Sequence, residues 1–302
     1  MTSEIELLKQ AANHWSGVSK QVPLYTRWWT NQKILRHINT RVCGQPFAHV
    51  SKGLTHRVKE EFANHVFEKG VSIGCGNGAK EISLIRDGLV ETFDLYEISE
   101  TRVAQGQEIA KKFGLENQVT FYLEDGFKHS KKNSYDLVHW NNSLHHMFDS
   151  FEAVDWSDSV LKSGGLFLMD DYVGPNRLQW TDINLEYASR CLAALPEHLM
   201  IDPMSPGKLL PRHARRPDEA ALIARDPTEA PDSENILAAV EKTFPDATIQ
   251  LTGGCLYHLA LNDVMANFGP EEDALLQTIL LADDALCEAG MTHYAIAYAR
   301  KN

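Results

Sequence analysis

Cysteine is scarce in this sequence of 302 residues: there are five, widely separated, and none belongs to a Cys-x-x-Cys pair. That usage does not suit a disulfide framework or a zinc cluster, and it indicates reduced thiols. Long apolar runs are absent too, so no segment is long enough to span a bilayer. The first six residues lack the basic and apolar regions of a secretory signal. We therefore expect a cytoplasmic protein with no membrane partner.

Positive charge is in the minority, with 29 Lys and Arg against 41 Asp and Glu, and the formal net charge is −12. Nucleic acids need a basic face on the protein that binds them, so we expect no nucleic-acid partner. Nothing in the sequence indicates an oligomeric state. The composition is that of an ordinary globular protein, 43% hydrophobic, and the length suffices for one large domain with a sizeable core.

From Val71 onward, short apolar stretches alternate with amphipathic ones, which predicts βαβ units and a parallel sheet. The predicted strands are Val71–Cys75, Thr92–Ile98, Gln118–Leu123, Tyr135–Trp140, Leu166–Asp170, Ala247–Leu251 and Thr292–Ala299. The predicted helices are Ala79–Arg86, Glu100–Phe113, Phe151–Leu161, 176–200, Asn235–Thr243 and Glu271–Glu288. The first seventy residues are rich in aromatics and read as helical. We thus expect an α/β protein with a helical cap or lid over 1–69 and a doubly wound domain over 70–302, with an insertion around 176–235.

A glycine-rich turn follows the first predicted strand and opens a helix, with Gly74, Gly76 and Gly78 at alternate positions. Glycines permit a sharp turn and a close approach of a ligand to the backbone. The spacing is neither the GxGxxG of dinucleotide folds nor a phosphate-binding loop. A tight turn without any ligand explains the glycines equally well.

Acidic residues end the next two predicted strands. Glu97 stands roughly twenty residues after the turn, where a carboxylate is placed to bind a ribose diol. Asp125 follows the third strand, where a carboxylate can accept a hydrogen bond from an adenine amino group. Either acid, taken alone, is explained equally well as a solvent-exposed charge at the end of a strand. Together, three successive strand ends favour an adenosine-like ligand at the carboxyl edge of the sheet.

These motifs resemble those of the class I S-adenosylmethionine (SAM) dependent methyltransferases. VSIGCGNGA, LYEIS, LEDGF, YDLVHWNNSLHHM and SGGLFLMDDY are similar to successive motifs of that family over residues 70–173. DPTEAPDSENIL and LTGGCLYHLALNDVMANF resemble the carboxyl-terminal part of a bacterial branch of it. The resemblance implies a Rossmann-like, seven-stranded sheet with a reversed final strand and SAM as the cofactor. The resemblance also implies that residues 70–302 form the SAM-binding domain.

The resemblance also assigns cofactor contacts. Glu97, where the family more often has Asp, would hold the ribose hydroxyls. Asp125 would meet adenine between Ile98 and Phe127, and Asn141 would face the sulfonium. The full expected set is Gly74, Gly76, Gly78, Glu97, Ile98, Asp125, Gly126, Phe127 and Asn141.

The positive sulfur of SAM already makes its attached carbons electrophilic. An enzyme therefore has to orient the nucleophile, and a strong base is less important. His145 or His146 can take a proton from an attacking atom, although a single His there is explained equally by helix capping or packing. We expect no metal, because the side chains of adjacent histidines diverge. The candidate catalytic residues are Asn141, His145, His146 and Tyr172. The candidate substrate-binding residues, each with a capping or core role as its alternative, are Tyr25, Trp28, Trp29, Asn142, Asp171 and Arg177.

Three functions are consistent with these features. The first is a methyltransferase acting on a small-molecule acceptor, a role typical of specialised metabolism. The second keeps SAM but closes its aminobutyrate arm to azetidine-2-carboxylate and releases methylthioadenosine, as azetidine-2-carboxylate synthases of similar fold do. The third is a SAM-binding protein without catalytic activity. The intact turn and carboxylates argue against the third.

Overall fold

A computed structural model describes residues 4–18, 26–128, 131–205 and 207–302 of the chain. Seven strands form its sheet: β1 Phe67–Ile73, β2 Val90–Tyr96, β3 Val119–Tyr122, β4 Tyr135–Asn141, β5 Leu161–Tyr172, β6 Thr248–Gly253 and β7 Tyr294–Arg300. Their order is β3-β2-β1-β4-β5-β7-β6, and β1 to β5 are parallel while β7 runs antiparallel to both of its neighbours. The predicted Rossmann-like sheet with a reversed last strand is confirmed.

Ten α-helices accompany the sheet in the described part of the chain: α1 Glu4–Val18, α2 Gln32–Cys43, α3 Lys52–Glu61, α4 Ala79–Arg86, α5 Glu100–Phe113, α6 Ser150–Val160, α7 Asp182–Ala194, α8 Glu219–Arg225, α9 Ile236–Thr243 and α10 Asp273–Glu288. None of these helices has both the length and the apolar character that a bilayer crossing requires. The bounds of α4 and α5 are those predicted. Local signals fix α5, since the side chain of Ser99 caps its first turn and Gly114 ends it in the left-handed conformation.

Two apolar clusters cover the two faces of the sheet. One is built around Trp140 and Phe167 and includes residues of α6 and α9. The other is built around Phe93 and Leu95 and includes residues of α3 and α4. Because both faces are covered, the strands are buried along most of their length and their tips at one edge are left to form a site.

The amino-terminal segment is less separate from the sheet than a cap would be. Val42 and Leu54, from α2 and α3, belong to the same buried cluster as Phe93 of β2. The predicted boundary at residue 69 falls inside β1, which begins at the buried residue Phe67. α1 packs against α5, and the role of residues 1–69 as a cap or lid stays a prediction.

The predicted helix over 176–200 is wrong. A short turn with left-handed residues at Arg177 and Leu178 comes first, and the helix begins only at α7, after the cap Thr181. It ends before Pro196, whose ring restricts the preceding residue to extended backbone. The following proline-rich stretch is mostly irregular, as expected, and contains α8.

Candidate active site

A cavity of about 770 Å³ lies at the carboxyl ends of β1 to β4. Of the residues proposed from the sequence, those that line it are Gly74, Gly76, Glu97, Ile98, Asp125, Phe127, Asn141, Asn142 and His146. Those outside its lining are Gly78, Gly126, His145, Tyr172, Trp28, Trp29, Asp171 and Arg177. Tyr25 lies outside the described residues. The sheet edge therefore gathers most of the expected cofactor contacts into one wall.

The glycine-rich turn has three left-handed residues, with φ of 64° at Gly74, 61° at Gly76 and 65° at Gly78. Gly78 has a packing role: a Cβ there would lie 2.9 Å from Cδ1 of Leu95 and from Cζ of Phe121. This contact lets α4 start directly against the sheet. Gly74 and Gly76 of the same turn line the cavity.

Glu97 lines the cavity and is only 4% exposed. Its Oε2 accepts a hydrogen bond from the backbone N–H of Gly76 at 2.9 Å, and its Oε1 accepts from Ile98 and Ser99, each at 2.8 Å. Burial raises the pKa of this carboxyl, against the opposing effects of Arg102 and of the backbone N–H groups. Glu97 therefore ties the glycine turn to the end of β2 and presents a carboxylate to the cavity.

Asp125 marks the far end of the cavity, past β3. One oxygen of its carboxylate, Oδ1, accepts a hydrogen bond from the N–H of Phe127 at 3.1 Å, and Oδ2 lies 3.2 Å from Nζ of Lys128. This Asx turn brings the ring of Phe127 into the cavity wall. An aromatic ring and a carboxylate at one end of a pocket suit a planar heterocycle with an amino group.

The tryptophans of the amino-terminal segment have different environments. Trp15, on α1, lines the cavity; the guanidinium of Arg102 lies 4.1 Å from its ring centroid, and the ring of His146 lies 5.3 Å away, edge to face. Trp28 is buried against Tyr257, with ring centroids 4.9 Å apart. Trp29 is 46% exposed. Trp15 alone of these three rings covers the cavity, whereas the sequence reasoning named Trp28 and Trp29 as candidates.

Asn141, at the end of β4, is held by groups that the sequence did not single out. Its Nδ2 donates to Oγ of Ser51 at 2.6 Å, and that hydroxyl donates to Oδ2 of Asp170 at 2.6 Å. Nζ of Lys80 donates to the carbonyl oxygen of Asn141 at 2.7 Å. Ser51 comes from a segment 90 positions earlier in the chain. No local signal marks such a residue as part of the site.

Asp171, proposed as a substrate contact, instead organises the loop after β4. Its fully buried carboxylate accepts hydrogen bonds from the backbone N–H groups of Ser143, Leu144 and Tyr172, each at 2.8 Å. Its Oδ1 also lies 2.5 Å from Nδ1 of His145. Burial alone would lower the pKa of His145, but the charge of Asp171 and this hydrogen bond outweigh it and raise that pKa.

The pKa of the neighbouring His146 moves the other way. Burial and the charge of His145 both lower it. His146 lines the cavity, and its Nδ1 lies 2.9 Å from the carbonyl oxygen of Thr228. The two adjacent histidines therefore differ: the pKa of His145 is raised by Asp171, and the pKa of His146 is lowered by burial and by the charge of His145.

Tyr172 and Arg177 contact protein groups behind the cavity wall. The hydroxyl of Tyr172 donates to the carbonyl oxygen of Pro175 at 3.1 Å. The guanidinium of Arg177 donates to the carbonyl oxygens of Pro227 at 2.8 Å and Glu229 at 2.9 Å. Arg177 therefore fixes the segment that carries Thr228 and Glu229, two residues that the sequence reasoning missed. A substrate contact by either side chain stays a prediction.

Comparison with known proteins places this geometry in context. A family model described as a methyltransferase domain matches residues 68–218. The 27-O-demethylrifamycin SV methyltransferase of Amycolatopsis mediterranei (strain S699) is 28% identical over 121 residues, which are 40% of this chain and 44% of that protein. Malonyl-(acyl-carrier protein) O-methyltransferase 2 of Ilyobacter polytropus is 26% identical over 102 residues, 34% of this chain and 38% of that protein. The matched segments span less than half the length of either relative.

The fold is similar to that of geranyl diphosphate C-methyltransferase from Streptomyces coelicolor A3(2), solved with Mg²⁺, geranyl-S-thiolodiphosphate and S-adenosyl-L-homocysteine. The TM-score is 0.57 at 12% identity, and the alignment covers 100% of both chains. Likeness at this level of identity concerns the architecture.

Proposed function

Since the chain belongs to the methyltransferase-domain family, we propose that it binds SAM in the cavity at the carboxyl edge of the sheet and transfers the methyl group to a small-molecule acceptor. One observation carries the proposal. The glycine turn, Glu97, Asp125 and Asn141 come from four successive strand ends and line a single cavity of about 770 Å³. A cavity of this size is ample for a nucleoside with an amino-acid arm and leaves room for part of an acceptor.

The cavity has two sides. We call the adenosine side the glycine turn together with Glu97 and Asp125. The acceptor side is the wall at Asn142, His146 and Thr228 together with the residues behind it, His145, Tyr172 and Glu229. SAM supplies an electrophilic methyl group on a positively charged sulfur. On the adenosine side, the carboxylate of Glu97 holds the ribose hydroxyls. On the acceptor side, His146 lines the cavity, where its ring can accept a proton from the attacking group.

The test has two parts. Calorimetry of the full chain with SAM and with S-adenosylhomocysteine is expected to give one binding event per chain for each. Incubation with SAM and a panel of small hydroxyl, amine and carboxylate compounds is then expected to release S-adenosylhomocysteine and a methylated product. If neither nucleoside binds, the proposed function is wrong.

Incubation with SAM alone separates the alternatives within the same fold. Release of methylthioadenosine without any acceptor would replace methyl transfer by closure of azetidine-2-carboxylate. Tight SAM binding with no product under either condition would favour a binding protein without catalytic activity. The proposal predicts S-adenosylhomocysteine only when an acceptor is present.

A further inference from the structure

Three side chains with metal-binding atoms meet beside the cavity: His145, His146 and Glu229. One ligand atom from each lies within 4.8 Å of the other two. Nε2 of His145 is 3.9 Å from Oε1 of Glu229. Two of the three follow β4 and the third comes from the distant segment before α9. The fold therefore brings the carboxylate of a residue that is distant in the sequence next to two adjacent imidazoles.

The expectation that the side chains of these adjacent histidines diverge is wrong. Both belong to a tight turn, Leu144–His146, and their ring centroids lie 4.1 Å apart with the planes inclined by 39°. A turn of this kind brings the rings to one side of the backbone, where an extended backbone would place them on opposite sides. Both rings are thus available to one ion.

Outer hydrogen bonds fix which nitrogen of each ring can bind. Nδ1 of His145 faces the carboxylate of Asp171 at 2.5 Å, and Nδ1 of His146 faces the carbonyl oxygen of Thr228 at 2.9 Å. Both partners are acceptors, so in the neutral ring Nδ1 carries the hydrogen and Nε2 keeps its lone pair. Metal-binding histidines show this arrangement, with a carboxylate or a carbonyl behind the ring.

The third ligand is held by its backbone. The carbonyl oxygen of Glu229 accepts from Arg177 at 2.9 Å, and the next residue, Ala230, accepts from the N–H of Arg177 at 2.6 Å. Thr228 donates its N–H to Oδ1 of Asp226 at 2.9 Å. The segment is therefore anchored on both sides of Glu229.

We propose that His145, His146 and Glu229 form a site for one divalent transition-metal ion, and that Zn²⁺ is the ion that fits it best. Two histidines and a glutamate are a known ligand set of zinc sites that keep a fourth position for another ligand. Tetrahedral zinc places its ligand atoms about 3.3 Å apart. Nε2 of His145 and Oε1 of Glu229, now 3.9 Å apart, therefore need to move closer to bind one ion.

The position of this site beside the cavity suggests that the ion binds the methyl acceptor. This role rests on the proposed function. His146 forms part of the cavity wall, next to Asn141 and Asn142. An acceptor with a hydroxyl or carboxylate oxygen is the class of compound that can take the fourth position. The ion would polarise that oxygen, a task that a lone histidine performs less strongly.

The experiment uses the full chain after treatment with a chelator. Titration with Zn²⁺ alone is expected to show one equivalent bound per chain, and titration with Co²⁺ alone is expected to give the visible absorption of a low-coordinate cobalt site. Glu229→Gln and His146→Ala are expected to weaken Zn²⁺ binding at least tenfold. His213→Ala removes an exposed histidine and is expected to change nothing. Thermal melting shows that each variant is folded.

Three results would overturn the inference: no stoichiometric Zn²⁺ binding to the unaltered chain, equal binding by Glu229→Gln and the unaltered chain, or cobalt spectra unchanged in both ligand variants. The SAM titration is read separately. Loss of zinc binding with intact SAM binding would therefore remove the metal site and leave the proposed methyl transfer standing.

Discussion

On the adenosine side of the cavity, the contacts come from turns directly after β1, β2 and β3, within about fifty residues of one another. On the acceptor side they come from segments that are far apart in the chain, as His146 and Thr228 are, 82 positions from each other. The first side depends on left-handed glycines and on backbone hydrogen bonds to one acid. The acceptor side depends on His145, which contacts Asp171, and on the segment of Thr228 and Glu229, which Arg177 anchors. A local change should therefore damage the first side, whereas the second should respond to changes in its anchors.

The largest effect is expected from Gly78→Ala. The new Cβ would meet Leu95 and Phe121 at 2.9 Å in a backbone with φ of 65°, so strain and overpacking together should cost about 3 kcal/mol of unfolding free energy. Gly114→Ala is the matched control, because Gly114 has φ of 68° and nothing within 4 Å of its Cβ position. It should cost about 1 kcal/mol. Equal losses in urea unfolding would contradict the packing role of Gly78.

Glu97→Gln tests the acid of the adenosine side. The amide cannot accept hydrogen bonds at both ends, so it loses backbone partners as well as the charge that, in our proposal, binds the ribose. We expect SAM to bind roughly fiftyfold more weakly, which corresponds to about 2.3 kcal/mol. Glu108→Gln, at an exposed position of α5, serves as the control. Calorimetry that finds both variants within twofold of the unaltered chain would show that Glu97 does not hold the cofactor.

Arg177→Met tests the anchor of the acceptor side. It removes hydrogen bonds to the carbonyl oxygens of Pro227 and Glu229, and we expect a loss of about 2 kcal/mol in unfolding free energy. The affinity for SAM should stay within twofold, because the guanidinium lies outside the cavity lining. Arg190→Met removes an arginine whose side chain is 70% exposed and should be nearly neutral. A large loss of SAM affinity in Arg177→Met would mean that the two sides are coupled.

The same comparison explains what could be read from the sequence. The strands β1 to β5, the helices α4 and α5, and the meeting of the adenosine-side residues at one cavity were predictable. Capping residues, left-handed glycines and strand-end acids act on their own neighbours. Ser99 and Gly114, for instance, bound α5 by contacts within a few residues. A resemblance to a family over the same segment added the cofactor. The contacts of the adenosine-side residues with a cofactor stay a prediction.

The acceptor side was predictable only in part. His145 and His146 stood out as a pair. Glu229 lies in a segment that resembles the family, DPTEAPDSENIL, but nothing singled out its side chain, and the sequence indicated Asp171 as a substrate contact or a helix cap. Its carboxylate is used instead by three backbone N–H groups and by His145. Such a role depends on the position of the loop after β4, which only the folded chain defines.

The affinity for SAM is expected to depend on pH through Glu97. This effect is smaller than those of the substitutions above. Burial raises the pKa of Glu97 above its ordinary value, and the ionised carboxylate is the form that accepts from the ribose hydroxyls. As the pH falls through this raised pKa, the carboxylate becomes protonated, and affinity should fall by up to about tenfold per pH unit. Calorimetry between pH 7 and pH 5 measures the slope, and Glu97→Gln should flatten it. An equal slope in both proteins would assign the effect to another group.

The smallest effect is expected from α1, which covers the adenosine side without belonging to the sheet. Trp15→Ala removes the ring that stacks on Arg102 at 4.1 Å and lines the cavity. A cation–π contact of this kind contributes about 1 kcal/mol to the position of α1. Because the ring also lines the cavity, we expect SAM to bind up to about fivefold more weakly. Trp29→Ala is the matched control, since that ring is 46% exposed and outside the cavity lining. If both substitutions change the affinity equally, Trp15 has no covering role. If only Trp15→Ala also speeds the dissociation of SAM, α1 acts as the lid that the aromatic amino-terminal segment suggested.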